Sequence, residues 1–287
     1  MKILVLGASG MAGHVVSVYL RENGHEVDTL AARNKLDDNT QLVDIMNLDD
    51  LKEVLSQNKY NAVINCVGLL VKQSEERKDL STFINSFFPH FLENYYKDSD
   101  TKIVHLSTDC VFSGKNPPYS EGSTYDGELF YDRTKALGEI INDKDLTFRM
   151  SIIGPDMQEN GIGLFNWFYK QSGDISGYTT AIWSGITTIE LARGINAALE
   201  QKLTGLYHLV PDVNISKYDL LTMFKKVFNR KDINIHPTSD IILDKTLINT
   251  RKDFVFTVRG YEQMVVEMKD WISQHAAMYK HYSLKES

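Results

Sequence analysis

The chain has 287 residues, of which 43% are hydrophobic and 24% charged, and a formal net charge of -7. The length suits one large α/β domain or a domain with a smaller satellite, and the acidic balance excludes a general binder of nucleic-acid backbones, which relies on Lys and Arg. The two cysteines, Cys66 and Cys110, lie in the apolar segments "VINCVG" and "STDCVF", which fits a reduced cytoplasmic protein better than a disulfide framework.

The first element is "KILVLG", a continuous apolar run that ends in glycine and reads as a buried parallel strand. "MAGHVVSVYLRENG" then carries apolar residues at helical spacing and stops at Gly24. "HEVDTLAA" and the short "TQLVDI" read as the second and third strands, "LDDLKEVLSQ" as a helix, and "NAVINCVG" as the fourth strand. "DLSTFINSFFPHFLENYYKD" reads as a long helix bent at Pro89. "TKIVHLST" is the fifth strand, "LFYDRTKALGE" a helix, and "LTFRMSIIG" the sixth strand. Strand and helix alternate without hairpin signals, the pattern of a doubly wound sheet. No apolar run approaches the ~18 residues of a membrane span, and "MKILVLGASG" lacks the layout of a secretion signal. No membrane partner is expected.

After Gly154 the texture changes. "PDMQENGIG" is a loop, "LFNWFYKQ" a short aromatic helix, and "TIELARGINAALEQ" an amphipathic helix. "GLYHLV" reads as a strand, "SKYDLLTMFKKVFN" as a helix opened by a Ser cap, and "GYEQMVVEMKDWISQHAA" as a last helix. The expected fold is therefore α/β. A Rossmann doubly wound parallel sheet spans residues 1–154, with 205–210 returning to it. A smaller, discontinuous substrate-binding region takes residues 155–204 and 211–287.

"LVLGASGMAG" places Gly7, Gly10 and Gly13 between a strand and a helix. In that context Gly7 permits a sharp turn, Gly10 lets backbone N–H groups approach a pyrophosphate, and Gly13 lets the helix pack closely. The stretch "VDTLAARNK" bears on the cofactor type. Asp28 falls too early to hold ribose hydroxyls, whereas Arg33 follows the strand, where a guanidinium meets a 2′-phosphate. NADPH is expected, with NADH as the alternative; the bland reading of Arg33 is a solvated side chain. Asp44 is a candidate for the adenine edge or a cap for the next helix.

Tyr131 and Lys135 share one helical face at i and i+4. A lysine there can lower the phenol's pKa by charge proximity and can hold the nicotinamide ribose. The phenol would give a proton to a substrate carbonyl as hydride arrives, and a third hydroxyl would steady the alkoxide. "HLSTDCVFSG" supplies Ser107 and Thr108 at the end of the fifth strand, the edge where open parallel sheets bind ligands.

This ordered set resembles the extended branch of the short-chain dehydrogenase/reductase superfamily. "GASGMAGH", "NCVG", "LSTDCVFSG", "YDRTKALGE" and "GITTIELA" stand where nucleotide-sugar reductases similar to dTDP-4-dehydrorhamnose reductase carry their motifs. The resemblance implies Thr108 as hydroxyl partner, Tyr131 as acid and Lys135 as its support. It implies Gly10, Met11, Ala12, Asp44, Ile45, Val67 and Gly68 around the dinucleotide, and Asp109 with Val111 and Phe112 beside the sugar. An arginine late in the chain holds the nucleotide diphosphate in similar reductases, and Arg251 is the better match here, ahead of Arg193.

The chain departs from that pattern at three places. Cys110 replaces an aromatic after "STD", Ile152 in "RMSI" replaces a tryptophan beside the sugar, and "WSGITT" brings Trp183 and no proline. "GASGMAGH", "STDCVFSG", "LGE" and "DKTL" look closer to a sister group from capsule and O-antigen sugar pathways, acting on UDP- or dTDP-linked 4-keto-6-deoxy sugars. The expected activity is reduction of the C4 ketone of such a sugar. The alternatives are an epimerase, or a non-catalytic dinucleotide-binding regulatory subunit of the kind known for methionine adenosyltransferase. A dehydratase would add an acid after Asp109, where Cys110 stands.

Other features have bland readings. Phe165, Trp167, Phe168 and Tyr169 read as core rather than a wall over the ligand. Trp183 is placed in a loop, either against substrate or in the core. Lys72 and Lys78 belong to a solvated mixed-charge loop, and His105 to a strand interior. The eight histidines show no metal spacing, so no catalytic metal is expected. A homodimer is compatible with the sequence.

Overall fold

The computed structural model describes residues 1–282; residues 283–287, the end of the expected substrate-binding region, lie outside the described residues. The main sheet has seven parallel strands: β1 (Lys2–Leu6), β2 (Glu26–Ala31), β3 (Gln41–Leu42), β4 (Ala62–Asn65), β5 (Lys102–Thr108), β6 (Leu146–Met150) and, much later, β11 (Gly205–His208). Their spatial order is β3-β2-β1-β4-β5-β6-β11. The order reverses between β1 and β4, so a crevice opens at the carboxyl ends there.

Side-chain alternation builds a core on each face of this sheet. Ile3 and Val5 of β1 pack with Val15, Val16 and Leu20 of helix α1 (Met11–Glu22). Leu4 and Leu6 pack on the opposite face with Leu51 and Leu55 of α2 (Leu48–Ser56). β4 divides likewise, with Ala62 and Ile64 on the α1 side and Val63 on the other. Both faces being covered explains why these strands read as unbroken apolar runs.

The long helix expected over "DLSTFINSFFPHFLENYYKD" is broken earlier than Pro89. α3 (Val71–Glu76) and α4 (Lys78–Ser81) lead into a π-helical segment, Thr82–Phe87, and then α5 (Phe88–Tyr95). Pro89 has no N–H to give to the carbonyl of Asn85, so the widened turn sits ahead of it. That carbonyl faces α6 (Phe130–Leu137) at its C-cap, Gly138, where a Cβ would stand 1.8 Å from it.

"LTFRMSIIG" is two strands. After β6, Ser151 breaks the ladder and β7 (Ile152–Ile153) leaves the sheet to pair with β10 (Ile186–Thr187). The rest of the second region comprises α7 (Leu164–Tyr169), β8 (Gly173–Tyr178), β9 (Ala181–Trp183), α8 (Thr188–Glu200), β12 (Ile215–Ser216), α9 (Lys217–Val227), β13 (Ile233–Thr238), β14 (Leu243–Asp244) and α10 (Tyr261–Gln274). β8 pairs with β13, and β9 lies between β12 and β14. Ser216 caps α9 by accepting the amide of Asp219 at 3.0 Å.

The segment after α10 returns to the first helix. Tyr279 donates its hydroxyl to His14 Nε2 at 2.7 Å and accepts from Trp271 Nε1 at 2.9 Å, while His14 Nδ1 donates to the Gly10 carbonyl at 2.8 Å. Among the described residues, no helix is long and apolar enough to cross a membrane.

Candidate active site

The glycine turn lies at the carboxyl end of β1. Gly7 has φ +76°, the left-handed region, and a Cβ there would press on Cys66 and Val67 at 3.1 Å. A Cβ on Gly13 would stand 2.1 Å from the Gly7 carbonyl oxygen, so the helix closes on the turn itself. Gly10 is less confined: its Cβ would meet only that same oxygen, at 3.4 Å. It is the N-cap of α1 and no side chain caps the helix, which leaves the first-turn amides of Met11, Ala12 and Gly13 for a ligand. Met11 reaches the later loop, its sulfur 3.0 Å from where a Gly163 Cβ would lie. Val67 donates its amide to Asn65 Oδ1 at 3.1 Å, and Gly68 is exposed beside it.

The end of β2 offers no carboxylate. Asp28 is inside the strand and accepts from Tyr60 at 3.0 Å and Asn58 at 3.2 Å. Arg33 is exposed in the following loop. Asp44 is exposed and accepts the amide of Met46 at 3.0 Å; the cap of α2 is Asn47, not Asp44. Ile45 is buried in the core on the α2 face. The open amide turn and the exposed guanidinium suit a dinucleotide with a ribose phosphate.

Thr108 ends β5, in register with Met150 of β6. Its hydroxyl donates to Asp109 Oδ1 and accepts from the Cys110 amide, both at 3.1 Å. Tyr131 sits in the first turn of α6, with its amide held by Glu75 Oε1 at 3.1 Å. Burial pushes its phenol above the usual tyrosine range, reinforced by Cys110; a hydrogen bond with Thr108 opposes this. The expectation that Lys135 lowers this pKa is not met. Lys135 Nζ donates instead to the Leu106 carbonyl at 2.7 Å and lies 3.4 Å from His105 Nε2. Burial pulls the lysine down to about 8, with Glu139 opposing.

His105 is fixed by its other nitrogen. The carbonyl oxygen of the Asn65 side chain is committed to Val67, so its amide nitrogen donates to His105 Nδ1 at 3.1 Å. Nδ1 thus faces a donor in Asn65 and Nε2 faces Lys135. Burial first, then Lys135, holds His105 well below the ordinary histidine range.

A network buried except at Tyr125 supports this edge. Glu139 receives Arg149 Nε at 2.9 Å and Nη2 at 2.6 Å, together with the hydroxyls of Ser107 and of Tyr125, the latter at 2.7 Å. Arg149 Nη1 donates to His208 Nε2 at 2.8 Å, joining β6 to β11. Asn85, in the π segment, brackets Leu69 by accepting its amide at 2.8 Å and donating to its carbonyl at 3.1 Å. Glu75, Asn65, Asn85, Glu139 and Arg149 were not singled out from the sequence. Asn65, Glu139 and Arg149 stand inside "NCVG", "LGE" and "RMSI", but their roles are not legible there, because each acts on backbone or on a partner elsewhere in the chain.

The expected sugar contacts divide. Asp109 lies next to Thr108, and burial pushes its carboxyl up against the opposing pull of Thr108, Lys217 and Lys245. Cys110 is a free thiol pushed up to about 12 by burial. The side chains of Val111 and Phe112 are corrected to a small core with Tyr119 and Leu247, Phe112 stacking on Tyr119 at 4.1 Å. Ile152 is partly buried on β7, paired with Ile186. Trp183 belongs to β9, not to a loop; it is buried, and its Nε1 donates to Ser151 Oγ at 2.8 Å.

Arg251 is not brought to this edge. Its Nη1 donates to the carbonyls of Thr204 at 2.6 Å and Leu206 at 2.9 Å, at the amino end of β11, and its fork pairs with Asp253. Arg193 is bound to Glu190 and the Thr257 carbonyl. Lys72 is exposed, and Lys78 lies 5.6 Å from the Phe130 ring centroid. Phe165 and Phe168 are fully buried core residues. Among the described residues no group of His, Cys, Asp and Glu could hold a metal ion.

Known proteins resemble this chain. The family described as RmlD substrate binding domain matches residues 1–245. A probable low-salt glycan biosynthesis reductase of Haloferax volcanii is 31% identical over 161 residues, 53% of this chain and 54% of that protein. The dTDP-4-keto-6-deoxy-D-glucose reductase of Streptomyces niveus is 23% identical over 244 residues, covering 82% and 81%. The match spans about half the length of the first of the curated relatives. The solved dTDP-4-dehydrorhamnose reductase of Bacillus anthracis, in complex with NADP, superposes with a TM-score of 0.80 at 21% identity, covering 94% of this chain and 99% of that one.

Proposed function

The chain belongs to the RmlD substrate binding domain family, and from that membership we propose that it is an NADPH-dependent reductase of the C4 ketone of a nucleotide-linked 4-keto-6-deoxy sugar. The observation that carries this reading is the meeting of Thr108 and Tyr131 at the carboxyl end of β5, with Lys135 anchored on that strand. The names of the Haloferax and Streptomyces relatives, both reductases, support it.

Residues 1–154 with 205–210 would form the dinucleotide-binding unit, and the remainder the substrate-binding region. The amides of Met11, Ala12 and Gly13 would receive the pyrophosphate, and Arg33 the 2′-phosphate; Asp44, Ile45, Val67 and Gly68 would border the dinucleotide. Bound NADPH would supply the hydride. Tyr131 would give the proton: burial keeps its phenol protonated through neutral pH, as an acid for ketone reduction requires. Thr108 would turn its hydroxyl proton from Asp109 to the carbonyl oxygen and so steady it. Lys135, anchored on Leu106, would hold the nicotinamide ribose.

Cell-surface polysaccharide synthesis in the cytoplasm is the setting that suits the reading. A homodimer is supported by the half-exposed aromatic row Phe83, Phe87, Phe91 and Tyr95, whose successive centroids lie 5.1–6.2 Å apart, beside exposed Leu137 and Ile141.

The test is to mix the protein with NADPH and UDP- or dTDP-linked 4-keto-6-deoxy sugars and follow NADPH absorbance. Stoichiometric consumption is expected. Conversion of the sugar without net consumption would make it an epimerase. No turnover, with tight binding to a partner protein, would make it a regulatory subunit.

A further inference from the structure

Lys217 was not singled out from the sequence, and its position is electrostatically unfavourable. It is the first residue of α9, directly after the Ser216 cap, where the positive end of the helix disfavours a cation. Among the described residues its ammonium has no hydrogen-bond acceptor or ion-pair partner. It rests on the face of Trp183, 4.6 Å from the ring centroid. A cation kept at a helix N-terminus without a carboxylate bond needs another reason to be there.

The platform beneath it is built with care for position. The Trp183 indole donates to Ser151 Oγ at 2.8 Å, and Ser151 follows Met150, the register partner of Thr108. Tyr261 donates to the Trp183 carbonyl at 3.0 Å. A Cβ on Gly185 would stand 2.1 Å from the indole ring, so glycine is what lets the ring lie there. These contacts fix the ring under Lys217 against Ser151, one residue past the register partner of Thr108.

Asp109 occupies the same end. Lys217 and Asp109 act on each other electrostatically, with Cys110 next in effect, and burial pulls the Lys217 ammonium down to about 8. A diphosphate beside Asp109 would be repelled by it. An uncharged group that both donates and accepts would satisfy both residues at once.

We propose that Lys217, held on Trp183, is a substrate-binding residue that together with Asp109 recognises an uncharged hydroxyl or acylamino substituent on the sugar ring, with Trp183 as its positioning residue. Lys217 would donate to the substituent's oxygen, and Asp109 would accept its O–H or N–H. This rests on the ketosugar reductase reading and adds to it a recognition element from the smaller region. It replaces direct stacking of the sugar on Trp183, whose ring face Lys217 covers.

The test compares wild type, Lys217→Met and Lys217→Arg with nucleotide-linked 4-keto-6-deoxyhexoses that carry or lack ring hydroxyls. In Lys217→Met, kcat/KM should fall about 10- to 100-fold through KM, the loss expected for a hydrogen bond to a charged group. NADPH affinity by fluorescence titration should not change, and the wild-type preference for the hydroxylated sugar should collapse. Lys217→Arg should fall between the two. Should Lys217→Met not fold, Lys217→Arg carries the test, with a raised KM against unchanged NADPH affinity as the expected result. A wild type that reduces the sugar and a folded Lys217→Met, or failing that a Lys217→Arg, with kcat/KM within about twofold of it would overturn the inference while leaving the reductase reading intact. No reduction of any such sugar by the wild type would remove both.

Discussion

Lys135 Nζ donates to the carbonyl oxygen of Leu106 at 2.7 Å, on the strand that ends in Thr108. The helix that carries the phenol is thus fastened to the strand that carries the hydroxyl, through a side chain four positions from Tyr131. The phenol's acidity is set by burial first, then by Cys110, Thr108, Asp109 and Asp132.

Replacing Tyr131 with Phe removes the proton and little else, because the ring remains buried and Glu75 still holds the backbone amide. Turnover should fall about 10²- to 10⁴-fold, the range for loss of a general acid. NADPH affinity, measured by fluorescence titration, should stay within about twofold, because the proton is given in the transition state and the loss should fall on kcat and kcat/KM together. Retained turnover would assign the proton to another group.

The two glycines of the turn should behave unlike each other. Gly13→Ala drives a Cβ into a backbone oxygen at 2.1 Å, and a backbone atom in a packed turn gives way poorly. It should destabilise the fold by about 1–3 kcal/mol or more in urea titrations and abolish dinucleotide binding. Gly10→Ala, with only a 3.4 Å contact, should leave stability within about 0.5 kcal/mol. Its effect should appear in NADPH affinity, where the ligand needs the same space. Equal stability losses would contradict the geometry.

Arg33 bears on the choice of dinucleotide. It is exposed, and the nearer of the two acidic residues of β2, Asp28, is occupied by Tyr60 and Asn58. Arg33→Ala should weaken NADPH by about 10-fold or more and leave NADH nearly unchanged, since only the former carries the 2′-phosphate. Isothermal titration with each dinucleotide measures the ratio. An equal effect on both would place the phosphate elsewhere.

Three buried histidines make stability depend on pH. Burial lowers His14 and His208 to about 4 from an ordinary value of 6.5, and holds His105 well below that ordinary value. Their folded values lie below the unfolded ones, so between pH 6.5 and about 4 the unfolded chain binds protons that the folded chain refuses. Stability from these rings is present above 6.5 and is lost as pH falls toward 4. For His14 the loss is at most about 3 kcal/mol. Urea midpoints should therefore drop steeply through this window, and a flat midpoint would contradict neutral burial.

The doubly wound sheet was legible because both-face burial writes continuous apolar runs into β1, β4 and β5, with glycine or polar stops. The glycine turn and the Thr108, Tyr131 and Lys135 set were legible from spacing and order. The small strands were not: β8 and β13 pair along largely exposed residues, so no apolar pattern marks them. The π segment was missed because the close approach of the Asn85 carbonyl to Gly138 joins residues distant in sequence. Trp183 and Arg251 were misplaced for the same reason. A tryptophan before Ser-Gly reads as a loop, and an arginine whose partners are carbonyls of a distant strand reads as free.

The bond between His14 and Tyr279 spans 265 positions of sequence. His14 grips the Gly10 carbonyl with its other nitrogen, so the turn made first in synthesis gains a brace only when a segment made much later arrives. Contacts of such span carry a large loop-closure cost and come late in folding. A nascent chain can therefore hold its early strands together while its nucleotide turn is still unbraced. Assembly of that turn should be among the last events on the way to the native state, and dinucleotide added during refolding should speed recovery of activity more than recovery of secondary structure.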